Sequence, residues 1–374
     1  MVTELSPETA ATEALEFWSH DHTLATLDAR WAPQLLRRFA EVVRTTAQEV
    51  PEDARRTGLV RVARTILKSA PETQLALARD SALGRWTSAM ERALARGAKL
   101  DPFLALTSRF AVGAALQNQT SLETTVILGS GGRARLPADG RVLQGPPGRS
   151  VRVTVQDGVL RTHARAARQA ARFEVVDGDA EAGMVPVVQP LSGGSLTEIV
   201  GPLERGARCL VETAPALTEE ILALAPVLVG VSGATDVSHS ASLAEARGCI
   251  WLTPVDRPLV IAETLIHEAS HLKFFLVEDV AKMVMDPDPP RFEVPWRSDR
   301  RPLRAVLMGL HAWVRVLEWL DTLEGSHYAQ AAQERAELLS QATVAAAAIV
   351  EGADGLTTCG QALVEALCRR VRQR

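Results

Sequence analysis

The sequence predicts an α+β protein that is predominantly helical, with a helical N-terminal part, a small β-rich middle section and a helical C-terminal part. Three observations carry that expectation. Apolar residues recur at three- and four-residue spacing through residues 6–120 and again from about 216. Between about 121 and 215 the texture changes to short runs rich in Val, Ile and Thr with period two. Pro51, Pro71 and Pro102 fall between the early helical runs, where a missing N–H and a fixed φ should break a helix. The expected regions are therefore 1–120, 121–215 and 216–374.

Ser6-Pro7-Glu8 reads as a helix start: a capping hydroxyl, a proline at the first helical position, then an acid near the positive end of the dipole. Helices are expected near 28–48, 54–69, 73–97 and 102–117, the first carried by Leu35, Leu36, Phe39, Val42 and Val43. Thr124–Leu128 is strand-like and ends at Gly129–Gly132, which is no phosphate loop because no GxxxxGK[ST] follows. Val151–Val155 alternates, Asp157-Gly158 signals a turn, and Val159-Leu160 continues. Phe173–Val176 and Val185–Val188 look similar, with a helical interruption near 162–171 and a candidate linker at 180–200. From 216 a mostly helical stretch contains one strand, Cys249–Leu252. A long helix should run from about Pro258 to Met285 and stop at Asp286-Pro287-Asp288-Pro289-Pro290. A loop with Pro295-Trp296-Arg297 should lead to a helix from about Pro302 to Leu323, with two more helices after it.

With 374 residues, 47% of them hydrophobic and 23% charged, the chain suits one large domain or two to three smaller ones. A net charge of -4 without a long basic run argues against nucleic acid as a partner. The N-terminus lacks the cationic and apolar stretches of a signal peptide, and no run of about 18 apolar residues predicts a membrane helix. Cys209, Cys249, Cys359 and Cys368 lack CxxC spacing, which reads as reduced thiols in a cytoplasm. Oligomeric state leaves no mark that can be read.

Chemistry concentrates in His267-Glu268-Ala269-Ser270-His271. Residues four apart on a helix share a face, so both imidazoles can hold one metal ion. Glu268 points about 100° around the helix and can reach a bound water or steady a ligand. Two buried histidines in a core helix are the plainer alternative. A third ligand is needed. The pattern HExxHxxGxxH fails at Phe274 and Val277, Glu278 lies far along the same helix, and Asp279 points elsewhere. His311 and Glu318 share a face of the next long helix, and His311 comes forty residues after His271, as an antiparallel pair would place it. His311 ranks before Glu318, and His239 in its polar loop is a third candidate. Core packing of His311 and a Glu318–Arg315 pair at i-3 remain open. Arg297, Arg300, Arg301 and Arg304 precede the His311 helix. Guanidinium forks bind carboxylates, so the set suits iron with a dicarboxylate co-substrate as well as zinc. A solvated basic loop is the alternative for any one of them.

The HExxH run, followed by Pro295-Trp296-Arg297-Ser298-Asp299 and Arg301-Pro302-Leu303, resembles the HExxH-domain proteins of ribosomal peptide natural-product clusters. That family includes 2-oxoglutarate-dependent peptide β-hydroxylases. The similarity covers roughly residues 235–325. It implies Fe(II) on His267 and His271; the preference for His311 as third ligand comes from its spacing on the next helix. It also implies 2-oxoglutarate as co-substrate and a precursor peptide hydroxylated at a β-carbon; on that reading the arginine loop would offer Arg297 or Arg301 to the far carboxylate. The competing expectation is a zinc peptidase, with Glu268 as general base toward a zinc-bound water.

Overall fold

Where apolar residues recur every three to four positions the chain forms α1 (Ala25–Glu49), α2 (Ala54–Leu67), α3 (Pro71–Arg79), α4 (Ser81–Ala95) and α5 (Thr107–Gln117). The structure is a computed structural model describing residues 25–49, 54–79, 81–97, 107–128, 133–137, 139, 141–146, 149–162, 165–168, 174–177, 196–225, 227–231, 239–244, 248–278 and 281–374. Pro71 opens α3, a position whose N–H has no helical partner to lose. The helix start at Ser6, the glycine run Gly129–Gly132 and the strand expected at Val185–Val188 fall outside the described residues. Contacts divide the chain into two units, Asp28–Glu204 with Leu222–Val255, and Arg205–Ile221 with Asp256–Arg374.

In the first unit the helices close on Phe39, Ile66, Leu77, Trp86 and Phe110, with the Trp86 ring 5.5 Å from Phe39 and 6.3 Å from Phe110. The other face of α5 offers Val112, Ala115 and Leu116 to Val126, Val153 and Val155. Those belong to an antiparallel sheet in the order β1 (Leu122–Ile127), β4 (Ser150–Gln156), β5 (Val159–Thr162). Asp157 and Gly158 turn between β4 and β5 with φ of 51° and 75°, the left-handed pair that a two-residue hairpin requires.

A second small sheet orders β2 (Arg133–Arg135), β3 (Arg141–Gln144) and β6 (Arg165–Arg168). Thus β6 occupies part of the segment expected to be helical near 162–171. Its four residues pair with β3, and that ladder outweighs the helix preference of Ala and Arg. A third sheet runs β7 (Glu174–Asp177), β8 (Val227–Gly230), β10 (Cys249–Leu252), β9 (Ser240–Ala241). Parallel pairing of β10 and β7 on either side buries β8 completely, as an unbroken apolar run demands. The strand at Cys249–Leu252 was expected; β8, too short to show a period, was not.

The second unit takes the latter half of α6 (Leu196–Thr213) and most of α7 (Pro215–Leu224). Since α6 begins at Leu196, the β-rich texture ends earlier than 215. The unit continues with α8 (Pro258–Glu278), a hairpin of β11 (Phe292–Val294) and β12 (Arg297–Arg301), α9 (Leu303–Asp321), α10 (Ala329–Glu351) and α11 (Thr358–Gln373). Gly206 lets α6 approach α8 so closely that a Cβ there would meet the Ile261 side chain. Helix α8 stops seven residues before Met285. Residues 283–285 instead serve as extended chain: Met285 N–H donates to Gly355 O at 2.8 Å, and Thr357 N–H to Met283 O at 3.1 Å. The expected loop before α9 is the β11–β12 hairpin, closed by Arg291 N–H to Arg301 O at 3.1 Å. Asp288 then caps α9, its two oxygens accepting from Leu303 N–H and Arg304 N–H at 2.8 Å each. Among the described residues no helix is long and apolar enough to cross a membrane.

Candidate metal centre

Helix α8 carries apolar side chains almost all round and is buried along most of its length. His267 and His271 interrupt that surface on one face. Their ring centroids lie 4.5 Å apart at 77°. The His267 ring also leans on Trp313 of α9, centroid to centroid 4.3 Å. Both Nδ1 atoms are buried and meet no hydrogen-bond partner.

Burial, then the neighbouring His271 ring, pushes the His267 imidazole down to about 3, against the opposing pull of Glu268. Burial and the Arg304 guanidinium push His271 down to about 4. Both rings are thus neutral near pH 7 and keep a nitrogen lone pair. A bare nitrogen in the interior forfeits its water hydrogen bond without replacement, at about 1–3 kcal/mol. A cation bound to each ring removes that cost, so this pair fits a metal ion of the kind imidazoles hold. Glu268 is buried at their side.

Helix α9 runs antiparallel to α8. Its start meets the end of α8, where the Arg304 Nε donates to Glu278 Oε1 at 2.8 Å. Farther along, Phe274 faces His311 at 6.4 Å and His267 faces Trp313. The expected antiparallel pair is present, and it brings His311 to the level of the motif. His311 is only 1% exposed. Burial holds its ring well below the ordinary histidine range, helped by the charges of Arg315 and Lys273 and by His271.

The other candidates lie in different company. Glu318 accepts from Arg370 of α11 at 3.0 Å rather than from Arg315. His239 belongs to the first unit, is exposed, and its backbone N–H donates to Thr253 Oγ1 at 3.3 Å. Arg297 Nε and Arg301 Nη1 both donate to Asp299, each at 3.0 Å, on the outside of the hairpin. The two guanidiniums hold the Asp299 carboxyl below the usual range. Arg300 is taken by Glu293 at 2.9 Å. Among the described residues no group of three His, Cys, Asp or Glu side chains is arranged to hold a metal ion.

Lys273 and Glu220 were not singled out from the sequence, and Arg315, expected as a partner for Glu318, joins them instead. Lys273 Nζ donates to Glu220 Oε1 at 2.9 Å, and Arg315 Nη2 donates to Glu220 Oε2 at 3.0 Å. Both cationic side chains are 5% exposed. The available signal was a lysine inside the apolar run of α8 and an arginine one turn past His311.

No protein-family model matches this sequence, and no curated protein matches it either.

Proposed function

We propose that this protein is a cytoplasmic Fe(II)- and 2-oxoglutarate-dependent hydroxylase that acts on the β-carbon of a residue in a ribosomally made precursor peptide. The observation that carries the metal is the pair of neutral imidazoles one helical turn apart, each with a buried nitrogen that lacks a partner. The peptide and the co-substrate rest on the resemblance of residues 267–271 and 295–303 to the peptide hydroxylases.

In this reading His267 and His271 would hold the metal from α8. His311 of α9, which among the described residues is not grouped with them as a ligand set in the chain alone, would supply the third ligand. Fe(II) with 2-oxoglutarate and O2 supplies the oxidising power for C–H hydroxylation, releasing succinate and CO2. Trp313 covers the His267 ring and keeps water from that side. Glu268, buried beside His267, orients a ligand or water. Arg297 or Arg301 is offered to the far carboxylate of the co-substrate, which would have to displace the Asp299 carboxylate that both now engage.

The test supplies Fe(II), 2-oxoglutarate and a precursor peptide encoded beside the protein, and reads peptide mass with succinate release. A gain of one oxygen that vanishes without 2-oxoglutarate is expected. Peptide cleavage with zinc and no 2-oxoglutarate would overturn the proposal in favour of a peptidase with Glu268 as general base.

A further inference from the structure

We infer that Arg315 and Lys273 form a buried receptor for the carboxylate of a small organic acid, next to the histidine cluster. The side chains come from two facing helices, and both close on Glu220 of α7. One donor is left over. The Nη1 atom of Arg315 is buried and has no hydrogen-bond partner, although the guanidinium itself is 5% exposed. A guanidinium presents its donors in a rigid fork, so an Arg that engages one carboxylate through Nη2 still points Nη1 at a second acceptor. Leaving that donor bare in the interior is costly, and an anion satisfies both the donor and the charge.

Arg315 and Lys273 both close on Glu220, and a second carboxylate meets the spare Nη1 in the form that an Arg fork binds best. Arg315 lies one helical turn beyond His311, which puts the receptor within reach of a molecule that also touches the histidines.

Arg315 and Lys273 differ from Arg297 and Arg301 in the property that matters for anchoring. The hairpin pair is largely in water and occupied by Asp299, where a carboxylate contact is worth little. The interior pair works in a medium that strengthens each contact. That the bound carboxylate belongs to a 2-oxo acid rests on the hydroxylase reading; the receptor itself does not.

The experiment uses the full chain without added metal and follows thermal unfolding in succinate, 2-oxoglutarate or chloride at equal ionic strength. Succinate and 2-oxoglutarate are expected to raise the unfolding temperature in a saturable way, and chloride is not. Arg315→Lys should weaken succinate binding roughly tenfold or more, the worth of one charged hydrogen bond. Glu220→Gln should tighten it, because the competing internal carboxylate is gone. That second variant keeps the test open if Arg315→Lys fails to fold. Equal protection by chloride, or succinate binding that Glu220→Gln weakens or leaves unchanged, would show a purely structural ion cluster and overturn the inference. Iron uptake is measured in parallel. Iron bound by His267 and His271 without succinate binding refutes the receptor alone, whereas succinate binding without iron uptake supports the receptor and refutes the hydroxylase.

Discussion

In the proposed metal centre His267 and His271 depend on each other, because four residues carry a helix through about one turn and either imidazole alone would be half of the site. His267→Ala should lower bound iron from one equivalent toward zero in anaerobically purified protein, and unchanged metal content would contradict the pairing. His311→Ala should lower iron affinity as well, while Glu318→Gln, whose carboxylate is held by Arg370, should leave it intact. Metal titration of the two variants separates the candidates. Arg297→Leu and Arg301→Leu test the hairpin arginines. A strong rise in the 2-oxoglutarate requirement places the co-substrate there, and no rise leaves them as a solvated surface. The histidine pair was legible in the sequence because its geometry is local. The Glu220 contact to Arg315 was not, since the partners stand 95 residues apart and nothing near either one names the other.

Single helices show the same division. Helices α8 and α9 begin where the pattern places them, and α9 ends within two residues of expectation. The early end of α8 is set by pairing of residues 283–285 with 355–357, which no local pattern announces. Two substitutions probe what positions the site. Gly206→Val should destabilise the protein by about 1–3 kcal/mol through overpacking against Ile261. Asp288→Ala should cost about 1 kcal/mol by uncapping the first turn of α9. Denaturant titration measures both, and a loss within error for Gly206→Val would mean that α6 and α8 are not in close contact.

At the scale of the whole molecule, the two compact units interleave along the chain, and interleaving leaves no mark in local composition. The mostly helical α+β class was legible, because helical periodicity extends over long segments; the short strands β6 and β8 were not, because four residues hold too little pattern. The buried histidines give the protein a pH response. Folded His267 and His271 titrate near about 3 and about 4, against an ordinary value of 6.5. As pH falls below 6.5 the unfolded chain takes up protons that the folded one refuses, so the stability present above 6.5 declines as pH falls toward 4 and below. The urea midpoint of metal-free protein should therefore drop over that window. His271→Gln should flatten the drop, and an unchanged slope would assign the acid sensitivity to other groups.

The closure of the β11–β12 hairpin has an evolutionary consequence. Asp288 and Arg291 on the incoming side are tied to Arg301, Leu303 and Arg304 on the outgoing side, so the chain between them is a loop sealed at its base. Helices α8 and α9 therefore keep their alignment through the base of the loop and not through its tip. The tip carries Pro295, Trp296 and Arg297, on which the resemblance to the peptide hydroxylases rests, and Trp296 reaches Gly309 of α9. Related chains would be expected to keep the length of this loop.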